Sequence, residues 1–158
     1  QPLISRSYGR GEEQNVRSLL KMALTTALGL GVLLMIFIFF SAPAVTAVFN
    51  SEHDLQLAAY ADSGLRLYFI GFLFTAVNMV YICYFQSVVE NGYSLLLCLL
   101  RGCILVLIFV YVLPAFMGVT GIWLAYPAAE LCTMAVGMFV IKRTDRKNFQ
   151  KIVDKKQS

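Results

Sequence analysis

The stretch RGCILVLIFVYVLPAFMGVTGIWLAYPAAE, residues 101–130, decides the fold because it consists of two apolar runs joined by a short turn. No charged residue lies between Arg101 and Glu130 at its ends, and Pro114 and Gly118 mark the turn. The apolar character extends in both directions, giving blocks at residues 93–113 and 119–141. Each block is close to the ~20 residues that a helix needs to cross a hydrocarbon core. The stretch therefore predicts a helical hairpin that crosses a membrane twice.

Two further apolar blocks, residues 19–40 and 65–85, precede this hairpin. These blocks are too long and too evenly apolar for barrel strands, which alternate over about ten residues. Over the whole chain 59% of residues are hydrophobic and 14% are charged, with a mean hydropathy of +0.72. That composition excludes an ordinary soluble domain. We expect an all-α integral membrane chain with four transmembrane helices.

Lysine and arginine are concentrated near the two ends of the chain. They precede the first block at Arg6, Arg10, Arg17 and Lys21, and they follow the last at Lys142, Arg143, Arg146, Lys147, Lys151, Lys155 and Lys156. Cytoplasmic flanks are enriched in these cations, so we expect a multi-pass plasma-membrane protein with both ends in the cytoplasm. The predicted order is a cytoplasmic loop at 1–18, a transmembrane region at 19–141 with an external connection at 41–63, and a basic cytoplasmic tail at 142–158. The tail suits anionic lipid better than nucleic acid.

Enzyme chemistry has little support in the sequence. His53, the only histidine, lies in the predicted external connection, so neither a histidine-rich metal site nor a catalytic triad can be built from this chain. The four cysteines lack paired spacing, which predicts reduced, buried side chains. We expect no enzyme activity, no bound metal and no organic cofactor.

Two ionisable residues fall at bilayer depth. Arg101 lies about 12 Å into the third block and Glu130 lies at a similar level in the fourth, at ~1.5 Å per residue. Such groups cost roughly 2.5 to 3.5 kcal/mol each on insertion scales, so they usually face protein or a cavity. We expect Arg101 and Glu130 to form an ion pair. The alternative is that Arg101 extends to the interface while Glu130 is protonated among its neighbours.

The second block carries small and polar residues at helical spacing, which predicts that one of its faces avoids lipid. The members of this stripe are Gly64, Tyr68, Gly71, Thr75 and Asn78. Close helix packing explains most of them. Asn78 and Glu130 are candidates for a functional role beyond packing. Asn78 is a candidate for lining a cavity, and Glu130 for binding or relaying a cation or proton.

Prolines mark predicted breaks in the helices. We expect Pro43 to end the first span, Pro114 to end the third, and Pro127 to kink the fourth three residues before Glu130. A kink at Pro127 would either flex during transport or serve packing alone.

Two stretches resemble the MATE family of multidrug and toxic compound extrusion transporters. Residues 1–11, QPLISRSYGRG, resemble a segment that follows the second helix of a lobe, with Gln1, Pro2, Tyr8 and Gly9 matching. Residues 101–130 resemble the last two helices. Their matching residues are Arg101, Pro114, Gly118, Gly121, Trp123, Pro127 and Glu130.

The resemblance implies that this chain forms the last four helices of a twelve-helix transporter with two lobes, in contact with membrane lipid and with the first lobe, which lies upstream. It implies alternating access, with Na⁺ or H⁺ as coupling ion and cationic amphipathic compounds as substrates. Some branches carry a coupling aspartate in the helix that here has Asn78, so Glu130 is the preferred coupling candidate. Two alternatives remain: a flippase for lipid-linked oligosaccharides from the same superfamily, and a four-span membrane scaffold.

Overall fold

The computed structural model describes residues 1–49 and 55–157, and every regular element in those two ranges is a helix. The elements are α1 (Pro2–Gly9), α2 (Glu13–Phe49), α3 (Leu55–Ser87), α4 (Asn91–Leu99), a π-helical turn (Leu100–Ile104), α5 (Leu105–Met117) and α6 (Val119–Gln157). The α4 helix, the π-helical turn and α5 follow one another without a break and form one membrane-spanning unit.

Four helical segments within these ranges are long and apolar enough to cross a membrane. They cover Glu13–Val48, Ala58–Ser87, Asn91–Met117 and Val119–Thr144. The predicted all-α membrane fold with four spans is therefore confirmed.

Helices extend well beyond the apolar blocks. The region expected as an N-terminal loop contains α1 and the start of α2, and helix covers most of the expected 41–63 connection. The prediction that Pro43 ends the first span is wrong, because α2 continues through it to Phe49. A proline removes only the hydrogen bond to the carbonyl four residues earlier, and a membrane helix tolerates that loss when its other turns stay bonded.

The third span also continues past its proline. Pro114 lies inside α5, which ends at Met117. The reversal is made by Gly118, whose φ of 58° and ψ of −139° are accessible to glycine and strained for other residues. Gly118 also donates its N–H to the carbonyl of Pro114 at 2.9 Å. The α5 helix thus ends one turn later than Pro114 alone predicts.

The helices pack around α3 and α6, which run parallel, since Gly64 faces Trp123 at one end and Tyr81 faces Gly137 at the other. The α2 helix packs on α3, and α5 packs on α6. A hydrophobic core occupies the end of the bundle that carries α1. Its buried members are Ile4, Val16, Leu20, Val77, Tyr81, Ile82, Tyr84, Phe85, Val88 and Leu97.

The cysteine prediction was half right. All four thiols are free, but Cys98 and Cys103 are exposed and Cys83 and Cys132 are partly buried. Exposed cysteines are compatible with a membrane span because a thiol is tolerated against lipid as a small, weakly polar group. His53 lies outside the described residues, and so do the side chains of the basic tail beyond Thr144.

Candidate functional site

The predicted contact between Arg101 and Glu130 is present. The Nη2 and Nε atoms of Arg101 lie 2.7 Å and 3.0 Å from Oε1 of Glu130. The Glu130 side chain is 1% exposed and that of Arg101 is 16% exposed. The pair joins two neighbouring antiparallel spans, so Arg101 does not extend away to the interface. A buried pair of this kind holds each charge in place, because removing one partner strands the other.

Asn78, on α3, is the third member of the site and comes from the second span. Its Nδ2 donates to Oε2 of Glu130 at 2.7 Å and to the main-chain carbonyl of Glu130 at 2.8 Å. Asn78 and Glu130 are both fully buried. Within the described part of the chain, the Oδ1 atom of Asn78 accepts no hydrogen bond. Asn78, Arg101 and Glu130 together form what we call the buried triad, which ties α3, the third span and α6 together.

Arg101 lies in the π-helical turn Leu100–Ile104, between α4 and α5. A π-helical turn adds a residue to the helical repeat and changes the direction of the side chains that follow, and such turns are frequent at functional sites. The sequence gives no clear signal for this turn. The π-helical turn at Arg101 is therefore the part of the triad's structure that was not predicted from the sequence.

The stripe predicted on α3 forms the seam with α6. A Cβ added at Gly71 would lie 2.7 Å from the ring of Tyr126, so the two helices approach closely at this point. The hydroxyls of Thr75 and Tyr126 are 2.7 Å apart. Pro127 also lies on this seam, and its Cα would be 3.2 Å from a Cβ at Gly71. Packing therefore explains the small residues of the stripe, whereas Asn78 belongs to the triad.

Four aromatic rings cluster along the same seam, on the side away from the hydrophobic core. Tyr68 stacks on Tyr126 with ring centroids 4.6 Å apart, and Phe69 stacks on Phe72 at 4.5 Å. Phe72 lies 6.2 Å from Tyr68 and 6.1 Å from Tyr126. All four rings are partly exposed. We call these residues the aromatic cluster. In each stacked pair one face of a ring covers one face of its partner, and Tyr68 and Tyr126 each carry a hydroxyl group.

Residues 1–11, the first of the two stretches that resemble MATE transporters, lie at the end of the bundle that carries α1. Gln1 donates from Nε2 to Oε1 of Gln86 at 2.9 Å, and a cavity of about 310 Å³ lies between α1 and the end of α3. Burial, and then the negative charge of Glu90, raise the pKa of Tyr8 above its usual value of 10.0. The residues Gln1, Pro2 and Tyr8 thus hold α1 against the turn after α3, while Gly9 is the last residue of α1.

Residues 101–130, the second of these stretches, include the turn between α5 and α6. A Cβ at Gly121 would lie 2.5 Å from the carbonyl carbon and oxygen of Leu113, so only glycine fits there. Trp123 packs over Gly64 on α3, and its Nε1 is buried without a partner among the described residues. Gly118, Gly121 and Trp123 therefore shape the hairpin that brings Arg101 to Glu130.

A second charged pair, which the sequence did not lead us to expect, lies on α3. Asp62, assigned to the external connection, lies on α3 with Nε of Arg66 3.1 Å from its Oδ2. The guanidinium of Arg66 lies over the ring of Phe39 on α2, 4.5 Å from its centroid. The spacing of four residues between Asp62 and Arg66 was a usable signal, because residues so spaced are neighbours on a helix.

The model of the family described as lipid II flippase MurJ matches residues 2–157. The chain belongs to the MurJ family. No curated protein matches closely enough to serve as a relative of this MurJ-family chain. Two solved structures share its fold, one being the inward-facing and the other the outward-facing conformation of a multidrug resistance MATE family transporter of the MOP superfamily.

The inward-facing structure gives a TM-score of 0.87 at 20% identity, over 94% of the MurJ-family chain and 34% of the other chain. The outward-facing structure gives 0.83 at 19% identity, over 93% and 33%. The chain thus spans about a third of the length of these structures. The prediction of a MATE-type transporter fragment is confirmed as a fold, within the superfamily that includes MurJ.

Proposed function

We propose that this chain forms the last four spans of a secondary active transporter that exports cationic amphipathic compounds. In this proposal the first lobe, upstream in the same protein, forms the other wall of a central cavity. The two lobes expose that cavity to each side of the plasma membrane in turn, and inward flow of Na⁺ or H⁺ drives export. The chain's fold agrees with structures of both inward-facing and outward-facing transporters.

The observation that carries the proposal is the aromatic cluster. A cation placed over an aromatic face is attracted by the ring quadrupole, by about 0.5 to 2 kcal/mol depending on solvation. Tyr68, Phe72 and Tyr126 are partly exposed, and each has one face stacked on a neighbouring ring. In this proposal a planar cation stacks on the opposite faces. A flat, lipophilic cation is the ligand class that this surface favours.

Charge in the spans supports the same substrate class. Between residues 58 and 141 the only cations are Arg66 and Arg101. Each lies in an ion pair, Arg66 with Asp62 and Arg101 with Glu130. This part of the transporter therefore presents little net positive charge to an anionic substrate and little repulsion to a cationic one.

Glu130 is the proposed coupling residue. Its Oε1 is held by Arg101 and its Oε2 by Asn78. Arg101 thus occupies the position that a coupling cation would take, and protonation of Glu130 would weaken the same contact. Coupling at Glu130 therefore requires the triad to open during the transport cycle.

Ethidium efflux from cells expressing the full-length protein tests the substrate class. Phe72→Ala should raise the half-maximal efflux concentration several-fold, since one π face is lost. Tyr111→Ala is the matched control, because Tyr111 is an exposed aromatic residue on α5 outside the cluster. Equal efflux by both variants would contradict the role of the cluster. Glu130→Gln leaves Arg101 without its charge partner and should lower the yield of folded protein, so efflux is measured per molecule of folded protein. The ion dependence of that efflux should be abolished, and retained ion dependence would remove Glu130 from coupling.

A second candidate function is the translocation of lipid-linked oligosaccharides, because the MurJ family model covers residues 2–157. Proteoliposomes that contain the full-length protein separate the two candidates. Movement of a fluorescent lipid-linked oligosaccharide between leaflets, without ethidium transport, would favour the flippase. Family membership favours either transporter over a four-span scaffold.

A further inference from the structure

A groove between α2 and α3 lies outside the triad and shares one residue, Phe69, with the aromatic cluster. Its cavity volume is about 570 Å³, within the range of small-molecule sites. Its walls are aliphatic and aromatic side chains, including those of Ile36, Phe40, Phe69 and Ile70. Ile36 is 49% exposed and Phe40 is 78% exposed in this chain, so the groove opens sideways. We call it the α2–α3 groove.

Among the residues that the structure describes, the α2–α3 groove has one charged side chain in its lining, Arg66. This guanidinium lies over Phe39, and Asp62 lies one helical turn before it. Nη2 of Arg66 is 3.4 Å from Oδ1 of Asp62, whereas Nε is buried and has no aligned acceptor among the described residues. A guanidinium has five N–H donors in a fixed fork. The Arg66 side chain is about one-third exposed, so its terminal nitrogens, rather than the buried Nε, have donors left for an acceptor from outside.

Arg66 and Asp62 lie at the depth expected for the surface of a membrane. Arg66 lies about 18 Å from Asn78 along α3, at ~1.5 Å per residue. The hydrocarbon core is about 15 Å thick on each side of its midplane. If the buried triad lies near the midplane, Arg66 and Asp62 lie at the level of the lipid headgroups. Ile70, one turn further along α3, then lies within the hydrocarbon, and in the predicted orientation this is the external leaflet.

We propose that the α2–α3 groove binds one phospholipid whose headgroup carries a phosphate and a primary ammonium group. One acyl chain lies along the apolar walls, the phosphate accepts hydrogen bonds from Arg66, and the ammonium donates to Asp62. Charge complementarity selects this occupant, because a site with one cation and one anion matches a zwitterionic headgroup. An anionic headgroup would meet Asp62, and a quaternary ammonium has no N–H to donate to it.

Native mass spectrometry of the full-length protein with bound lipid tests this proposal without any transport assay. The protein is equilibrated in detergent with equal amounts of phosphatidylethanolamine and phosphatidylcholine that have identical acyl chains. The wild-type protein should retain phosphatidylethanolamine about tenfold more than phosphatidylcholine, as charge-assisted hydrogen bonds predict. Asp62→Asn should reduce that preference to near unity, and Arg66→Gln should lower retention of both lipids.

Two further variants separate lipid binding from folding. Ile70→Trp fills the apolar part of the groove and leaves the ion pair in place, so it should lower retention of both lipids. Glu13→Gln is the matched control, since it breaks an exposed pair with Arg17 at the same spacing on α2. It should leave retention unchanged. The melting temperature of each variant, measured in the same detergent, shows that it is folded.

Equal retention of the two lipids by the wild-type protein would overturn the proposal. So would an unchanged preference in Asp62→Asn, or unchanged retention in Ile70→Trp. Absence of any retained lipid would also overturn it, because the groove would then be filled by another part of the full-length protein. None of these outcomes depends on which substrate the transporter moves.

Discussion

Asn78 holds Glu130 by two hydrogen bonds, one to the carboxylate at 2.7 Å and one to the main-chain carbonyl at 2.8 Å. The second bond reaches the backbone of α6 three residues after Pro127. Asn78 thereby fixes the position of the helix and the direction of the carboxylate at the same time. Arg101 then meets a carboxylate that is already oriented.

Replacing Asn78 with leucine should destabilise the full-length protein. Leucine has a similar size but no donor, so Oε2 of Glu130 would be left buried without its partner. Losing the partner of a buried polar group costs about 1 to 3 kcal/mol. Thermal unfolding in detergent measures the effect. Asn15→Leu is the control, because Asn15 makes only an exposed contact with Glu12, and an equal loss in both variants would contradict this role of Asn78.

Replacing Gly121 with alanine should disrupt the α5–α6 turn. The added Cβ would meet the backbone of Leu113 at 2.5 Å, and backbone cannot move aside as a side chain can. We expect strongly reduced expression of folded full-length protein, measured by fluorescence-detected size exclusion. Gly92→Ala is the control, since nothing lies within 4 Å of its Cβ. Normal folding of Gly121→Ala would show that the hairpin is looser than described.

Replacing Val89 with glycine should stabilise the protein. Val89 has a φ of 63°, and it follows α3 in a Schellman motif, in which Glu90 donates its N–H to the carbonyl of Phe85 at 2.9 Å. A left-handed conformation costs a residue with a Cβ roughly 1 to 2 kcal/mol, so removing the side chain should gain about 1 kcal/mol. The melting temperature should rise in Val89→Gly and stay nearly constant in Val89→Ala. A rise of equal size in both variants would contradict the strain at this position.

Alkaline pH should loosen the attachment of α1. The pKa of Tyr8 is raised in the folded protein by burial and by Glu90. The unfolded state therefore loses the Tyr8 proton first, so this contribution to stability is complete below about pH 10 and is lost as the pH rises further. Tyr8→Phe should show a smaller fall in melting temperature between pH 9 and pH 11 than the wild-type protein. Tyr60→Phe, at an exposed position, should behave as the wild type, and identical pH profiles for all three proteins would rule out this role of Tyr8.

The sequence was sufficient to predict the four spans and the contact between Arg101 and Glu130. Span length is set by bilayer thickness, and two charges at one depth in adjacent antiparallel helices have few other partners. The stripe on α3 also indicated the face that packs on α6. Asn78 could be singled out on this stripe, because an amide at mid-membrane needs a partner.

Other features could not be read from local sequence. The π-helical turn at Arg101 and the path of α2 through Pro43 depend on whether neighbouring helices compensate for the disturbed hydrogen bonds. The placement of Arg66 over Phe39 depends on how α2 packs on α3, which a pattern along one helix does not give. In the proposed transporter, substrate specificity would also depend on the first lobe, which would supply the other half of the cavity.

Arg101 and Glu130 form one electrically neutral ion pair that joins the third span to α6. Exchange of the two charges in the full-length protein tests this pairing most directly. Arg101→Glu and Glu130→Arg should each cost about 3 to 5 kcal/mol, because each leaves like charges buried together. The double variant should recover much of the lost melting temperature and yield of folded protein. Equal damage in the single variants and the double variant would contradict the claim.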